Sequence, residues 1–290
     1  MRKLIFCLLI FFTTQLSINA QRITRNPRFE TGKTVTISIE IKNTVAQQAG
    51  AQAIDINTQA RLVHYYKVIS TDKQNIRLHH GLQRIGFNID GMGIKRSFDS
   101  DSKADLDGPW GAEVKQILTE AYDIGVDSTG IITDIGDDTA ASVEPDERVV
   151  FINDVLKYFA DDVYPSNIAS RSYFSVLPNH PIQVGTSWTD SIRTNEEQST
   201  TTNTLSAVTD STIVIDYNTI SITNTVAKLM GTQAVTKLNN TISGQIILDP
   251  ATGIIRRKTG TVDYNGTTQL MGNTVPIKGT TSIVHVVTVQ

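Results

Sequence analysis

From Thr34 to Ile41 the chain alternates without a break: Val35, Ile37, Ile39 and Ile41 are apolar, and Thr34, Thr36, Ser38 and Glu40 between them are polar. A period of two puts every apolar side chain on one face of an extended strand, which no helix can do. Further segments of strand length follow at Ala53–Asn57, Leu62–Ile69, Ile76–Leu82, Gln83–Ile89 and Gly91–Phe98. Beyond Trp188 the pattern predicts a meander through Ser211–Tyr217, Thr219–Val226, Thr232–Lys237, Thr241–Leu248, Gly253–Tyr264, Thr267–Met271 and Thr281–Val289. Threonine points the same way, with 37 residues in all and 24 of them after position 185. Its β-branched, half-polar side chain suits pleated strands with one solvated face.

Two helices are predicted to interrupt the strands. Trp110, Val114, Ile117, Leu118 and Tyr122 recur at helical spacing after Asp107-Gly108-Pro109, where proline suits a first turn. The second helix runs from about Pro145 to Phe159. Asp146 and Glu147 sit at its positive end, and Val149, Ile152, Val155, Leu156 and Phe159 form its apolar stripe. The expected fold is mainly β: curved antiparallel sheet, open and half-barrel-like, with two amphipathic helices on its concave face.

Met1 to Ala20 reads as a cleaved signal peptide. Arg2 and Lys3 start it, Leu4 to Phe12 form an apolar run, and Ser17-Ile18-Asn19-Ala20 ends in a small residue before Gln21. That run is too short for a membrane-spanning helix, and no later segment approaches one. Cys7, the one cysteine, lies inside the run and not at the cut, so a lipidated terminus is not expected. The mature chain then has no thiol, which removes disulfides, zinc-thiolate sites and cysteine nucleophiles. Loss of Arg2 and Lys3 takes the formal charge from −3 to −5, against a nucleic-acid partner. The expectation is a secreted or periplasmic protein. Residues 21–175 form an N-terminal β-rich half with both helices, and residues 176–290 a C-terminal antiparallel half, unless the two are one continuous domain.

An internal echo marks two turns. Asp123-Ile124-Gly125-Val126-Asp127-Ser128-Thr129-Gly130-Ile131-Ile132 resembles Gln245-Ile246-Ile247-Leu248-Asp249-Pro250-Ala251-Thr252-Gly253-Ile254-Ile255. In each, aspartate starts the turn and glycine takes the positive-φ position before the returning strand.

The segment Val176-Leu177-Pro178-Asn179-His180-Pro181-Ile182-Gln183-Val184-Gly185-Thr186-Ser187-Trp188-Thr189 is similar to the "LP…P-hydrophobic-x-VG-x-SW" signature of the domain of unknown function 6263 family. Ser97-Phe98-Asp99-Ser100 and the two aspartate turns fall in that family's order. The resemblance implies a secreted, β-rich protein of the kind common in Bacteroidetes-type bacteria, and it carries over no catalytic residue.

Candidate chemistry is sparse. His64, His79, His80, His180 and His285 show no metal-ligand spacing, and His79 and His80 would point to opposite faces of a strand. They are expected on the surface or half-buried. Gly185-Thr186-Ser187-Trp188-Thr189 lacks the second glycine of a nucleophile elbow, so Trp188 reads as a core anchor with a backbone carbonyl for its N–H. Asp99, Asp101, Asp105 and Asp107 space carboxylates as calcium would want them. Lys103 breaks the series, however, and no closing glutamate follows, so a solvated loop explains it as well. Gly86, Gly91 and Gly93 form no phosphate cradle, the Thr-x-Thr pairs are too irregular for an ice-binding face, and the sequons at Asn239 and Asn265 matter only in a glycosylating host. No catalytic residue, metal or cofactor is assigned.

Three function classes follow. The first is a non-catalytic envelope protein holding an apolar ligand between sheet and helices. The second is a structural or assembly protein that binds another envelope protein, and the third is an enzyme, for which no nucleophile, base or metal cluster stands out.

Overall fold

A computed structural model describes residue 23 and residues 27–49, 52–72, 74–91, 93–136, 163–164, 167–229, 232–270 and 272–290. The leader Met1 to Ala20 and the predicted helix Pro145 to Phe159 lie outside them. Twelve strands are described: β1 (Thr34–Ala49), β2 (Gln52–Thr71), β3 (Asn75–Gly91), β4 (Ile94–Asp99), β5 (Ala121–Asp127), β6 (Ile132–Ile135), β7 (Ser187–Arg193), β8 (Glu197–Val208), β9 (Ile213–Leu229), β10 (Thr232–Leu248), β11 (Ile255–Leu270) and β12 (Asn273–Val289). They form one antiparallel sheet in the order β6-β5-β3-β2-β1-β12-β11-β10-β9-β8-β7, with β4 against β3. The sheet is open, as expected, and the first and last strands pair in its middle.

Several predicted strands are halves of longer ones. Ala53–Asn57 and Leu62–Ile69 are both in β2, and Thr219–Val226 continues Ser211–Tyr217 in β9. Backbone ladders carry the strands across polar stretches that side-chain alternation alone reads as breaks.

Directly opposed residues share a face. Val35, Ile37, Ile39 and Ile41 are almost fully buried, Ile37 between His64 and Val287 and Ile39 between Leu62 and His285. Val114, Ile117, Val163, Phe174, Leu177 and Ile182 join the same core. Farther along the strands this face turns polar, where Ser199, Ser221 and Asn240 stand in one row with Tyr264. Asn240 donates to the Ser221 hydroxyl at 2.9 Å, and Tyr264 and Thr281 both donate to Asn43 Oδ1, at 2.8 and 3.0 Å. The inner face is therefore aliphatic at one end and hydrogen-bonded at the other. Between the two ends, Tyr217 lies across Gly244 and Gly260, and its hydroxyl donates to Thr259 O at 3.1 Å.

The two described helices are short: α1 (Lys103–Leu106) and α2 (Gly111–Thr119). Val114 and Ile117 of α2 are buried as expected, but Trp110 is half-exposed and Tyr122 belongs to β5. The extra turn α1 begins at Ser102, whose hydroxyl accepts from Asp105 N. Both echoed turns have the expected construction. Asp127 Oδ1 accepts from the backbone of Thr129 and Ile131, Asp249 Oδ1 from Ala251 and Thr252, and Gly130 and Gly253 have φ of +85° and +71°.

Trp188 is a buried anchor, standing in the row of Asn203 and Tyr217. The expected carbonyl is missing: its indole N–H has no acceptor among the described residues. Packing holds the ring here without a hydrogen bond.

Candidate functional site

At the aliphatic end of the inner face is a pocket of about 500 Å³. Its floor is Val35 of β1, Ile254 and Ile255 at the start of β11, and Val287 of β12, all buried; Val289 is half-exposed at its mouth. Phe29 forms a side wall. The rim carries Arg28, Glu30, Lys33, Asp249 and Arg256, with Thr252 beside them.

Local structure explains how these residues meet. The extended residues 27–30 are tied to the second aspartate turn by Arg28 N donating to Thr252 O at 2.7 Å. Pairing of Val35 with Val289 then brings the start of β1 and the end of β12 to one side of the pocket. Burial alone would raise the Asp249 carboxyl pKa, but hydrogen bonds from Thr252, Arg256 and Ala251 outweigh it and hold the group below the usual carboxylate range. Its other oxygen is ion-paired with Arg256, which also donates to Ser211 O at 3.1 Å.

Behind the pocket lies a nest of aromatic rings. Phe29 packs edge-on against Phe174 at 5.0 Å, Phe174 against Tyr66 at 5.2 Å, and Tyr66 against His80 at 4.5 Å. His80 lies parallel to His64, with His64 Nδ1 3.2 Å from His80 Nε2. Tyr164 sits edge-on to both imidazoles, and the Tyr66 hydroxyl donates to Val163 O. Desolvation by burial, aided by the charge of His79, pushes the His80 pKa down to about 3. Burial, with Glu120 nearby, raises that of the Tyr164 phenol. His80 and Tyr164 are thus held neutral in desolvated surroundings behind Phe29.

The histidines fall differently from expectation. His64, His80 and His285 are buried, at 0%, 1% and 3% exposure. His285 meets the Tyr173 hydroxyl at 3.1 Å. His79 does face away from His80, outward, with its Nδ1 2.8 Å from Asp123, which also accepts from Arg77. A His–Asp pair orients an imidazole, but no hydroxyl for it to activate is among the hydrogen bonds of His79 in the described residues.

The aspartate series does not converge. Arg84 bridges Asp99 at 2.5 Å and Asp101 at 2.9 Å. Asp105 accepts from the backbone N–H of Asp99 in a local turn, and Asp107 lies 3.4 Å from Lys115. Among the described residues no group of three histidine or carboxylate side chains is placed to hold a metal. Sequence reasoning missed the pocket entirely; the positive-φ glycine at position 253 was the one local signal near it.

Residues 73–255 match the model of a family described as a family of unknown function (DUF6263). No curated protein matches the chain. Among solved structures, lipovitellin, described for its lipid–protein interactions, superposes with a TM-score of 0.51 at 10% identity, covering 91% of this chain and 26% of the other. The chain spans about a quarter of lipovitellin's length, and the likeness concerns the fold alone. An outer membrane channel from Pseudomonas putida F1 gives a TM-score of 0.23 at 6% identity, over 91% of this chain and 98% of its own. The beta domain of the Bordetella autotransporter BrkA gives 0.26 at 7%, over 87% and 98%. Scores this low carry no argument about function. No helix among the described residues is long and apolar enough to cross a membrane.

Proposed function

The chain belongs to this family of unknown function, DUF6263, and on that premise we propose that it is a non-catalytic secreted or periplasmic protein that holds an apolar ligand against its open sheet. The observation that carries the reading is the pocket: a buried aliphatic floor of Val35, Ile254, Ile255 and Val287, backed by aromatic rings, under an open mouth. Its volume of about 500 Å³ lies in the range of small-molecule sites. The aliphatic side chains and Phe29 offer a polar guest no partner inside the rim, which favours an apolar one. Lipovitellin's likeness in fold agrees with this reading but adds no residue to it. Export rests on the leader Met1 to Ala20, with Gln21 as the mature terminus.

The test is titration of the mature protein with the neutral dye N-phenyl-1-naphthylamine. One equivalent should bind with enhanced emission, and Val289→Trp, which fills the mouth from a half-exposed position, should abolish binding without lowering Tm. No binding, or binding unchanged by the substitution, overturns the reading.

A second reading has its own observation. Ile220, Ile222 and Val226 stand on the outward face of β9, with 67%, 48% and 59% exposure. Branched apolar residues left in water on one strand face suit contact with another envelope protein. A dye-binding protein that also loses a co-purifying envelope partner on Ile220→Lys would have both roles.

A further inference from the structure

We infer that the pocket takes a single-chain amphiphile with one anionic head group, an inference that rests on the ligand-holding reading and names its ligand class. Charge at the mouth is unevenly committed. Three cations, Arg28, Lys33 and Arg256, share the rim with two carboxylates, Glu30 and Asp249. Arg256 is spent: it pairs with Asp249, whose second oxygen is occupied by the turn backbone. Among the described residues neither Arg28 nor Lys33 has a carboxylate within ion-pair distance, although Glu30 lies between them in sequence. Among the lining side chains one positive charge is therefore in excess, on the exposed Arg28 and Lys33 above an aliphatic floor.

An amphiphile matches that layout term by term. Its chain replaces water over Val289, Phe29 and the edge of Val287, while its head stays in solvent beside Arg28 and Lys33. A dianionic head would meet Glu30 with its second charge, and a cationic head would meet Arg28 and Lys33. The volume of about 500 Å³ limits the cargo to one ligand of small-molecule size, not a bulk lipid load. The head contributes selectivity and the chain contributes most of the affinity, because an exposed ion pair is a small effect.

The test compares twelve-carbon probes below their micelle-forming concentrations, displacing the neutral dye from the mature protein. Laurate should bind at one equivalent and about fivefold tighter than dodecanol, the size an exposed ion pair supports. Dodecyltrimethylammonium should bind more weakly than dodecanol. At about 1 M salt, where screening acts within about 3 Å, the margin between laurate and dodecanol should vanish. In Arg28→Gln/Lys33→Gln the margin should also vanish, with dodecanol affinity unchanged. Equal binding of laurate and dodecanol by the wild type, or a margin that survives the double substitution, overturns the anionic-head inference and leaves the ligand-holding reading standing. Failure of the dye and of every probe to bind overturns both.

Discussion

His64 and His80 face each other on neighbouring strands as a buried imidazole pair, their rings 11° from parallel and Nδ1 of the first 3.2 Å from Nε2 of the second. One ring must donate and the other accept, so the contact requires the neutral form of at least one. The sign of its pH dependence follows. The folded pKa of His80 is about 3, below the ordinary value of 6.5, so between these values the unfolded chain binds a proton that the native chain does not. Stability is then fully present above about pH 6.5 and is lost as pH falls toward 3, by about 1 kcal/mol per unit. Urea denaturation at pH 7, 5.5 and 4 checks this. In His80→Gln the slope should flatten by that amount, and an unchanged slope would place the acid sensitivity elsewhere.

Tyr217 and Gly260 make a second pair whose coupling is measurable. A methyl group at position 260 would meet the Tyr217 hydroxyl at 2.5 Å and nothing else closer than 3.7 Å. Gly260→Ala should cost about 1–3 kcal/mol by overpacking. Combined with Tyr217→Phe, which removes the obstructing oxygen, it should cost less than the two single effects added. Strict additivity in a double-mutant cycle would show that the ring does not rest on the glycine.

The strand segments were legible where one face is apolar and the other is not. Val35 to Ile41 is such a case, and so are the aspartate turns, whose geometry is set within five residues. By contrast, β8 (Glu197–Val208) was missed because Ser199, Thr201 and Asn203 put polar groups on its inner face, which pairs with an equally polar β9. The histidine pair was hidden for another reason. A bulge between Val63 and His64 shifts the β2–β3 register, and register is not contained in the alternation of either strand. The pocket draws on residues 28–35, 249–256 and 287–289, which the β1–β12 and β11–β12 ladders and the Arg28–Thr252 backbone bond bring together.

Trp188 should tolerate loss of its nitrogen better than loss of its ring. The indole N–H has no acceptor among the described residues, so Trp188→Phe removes a buried donor without breaking a bond and should change stability by less than about 1.5 kcal/mol. Trp188→Ala should cost about 3–5 kcal/mol. With Trp110→Phe as background, emission from Trp188 should be blue-shifted and resist iodide. Ready quenching would mean that the ring faces solvent.

The Asp127 turn should weaken in acid. Burial opposes ionisation of its carboxyl, but hydrogen bonds from Thr129, Ile131 and Gly130 outweigh that and lower its pKa. A lowered folded pKa gives stability that is present above the ordinary value near 3.8 and lost as pH falls through the depressed one. Asp127→Ala should therefore cost about 1–3 kcal/mol at pH 7 and progressively less near pH 3. A cost independent of pH would assign the effect to turn shape alone.

Val35 and Val289 are partners more than 250 residues apart in the chain, at the centre of the sheet and not at its margin. Each half of the chain can lay down its own hairpins as it is made, since β2 and β3, or β9 and β10, are neighbours in sequence. The seam between them needs the seventeen residues of β12, Asn273–Val289. Closing that seam is thus a step of high contact order. A chain lacking β12 is left with two exposed edges, on β1 and β11, in the middle of the sheet.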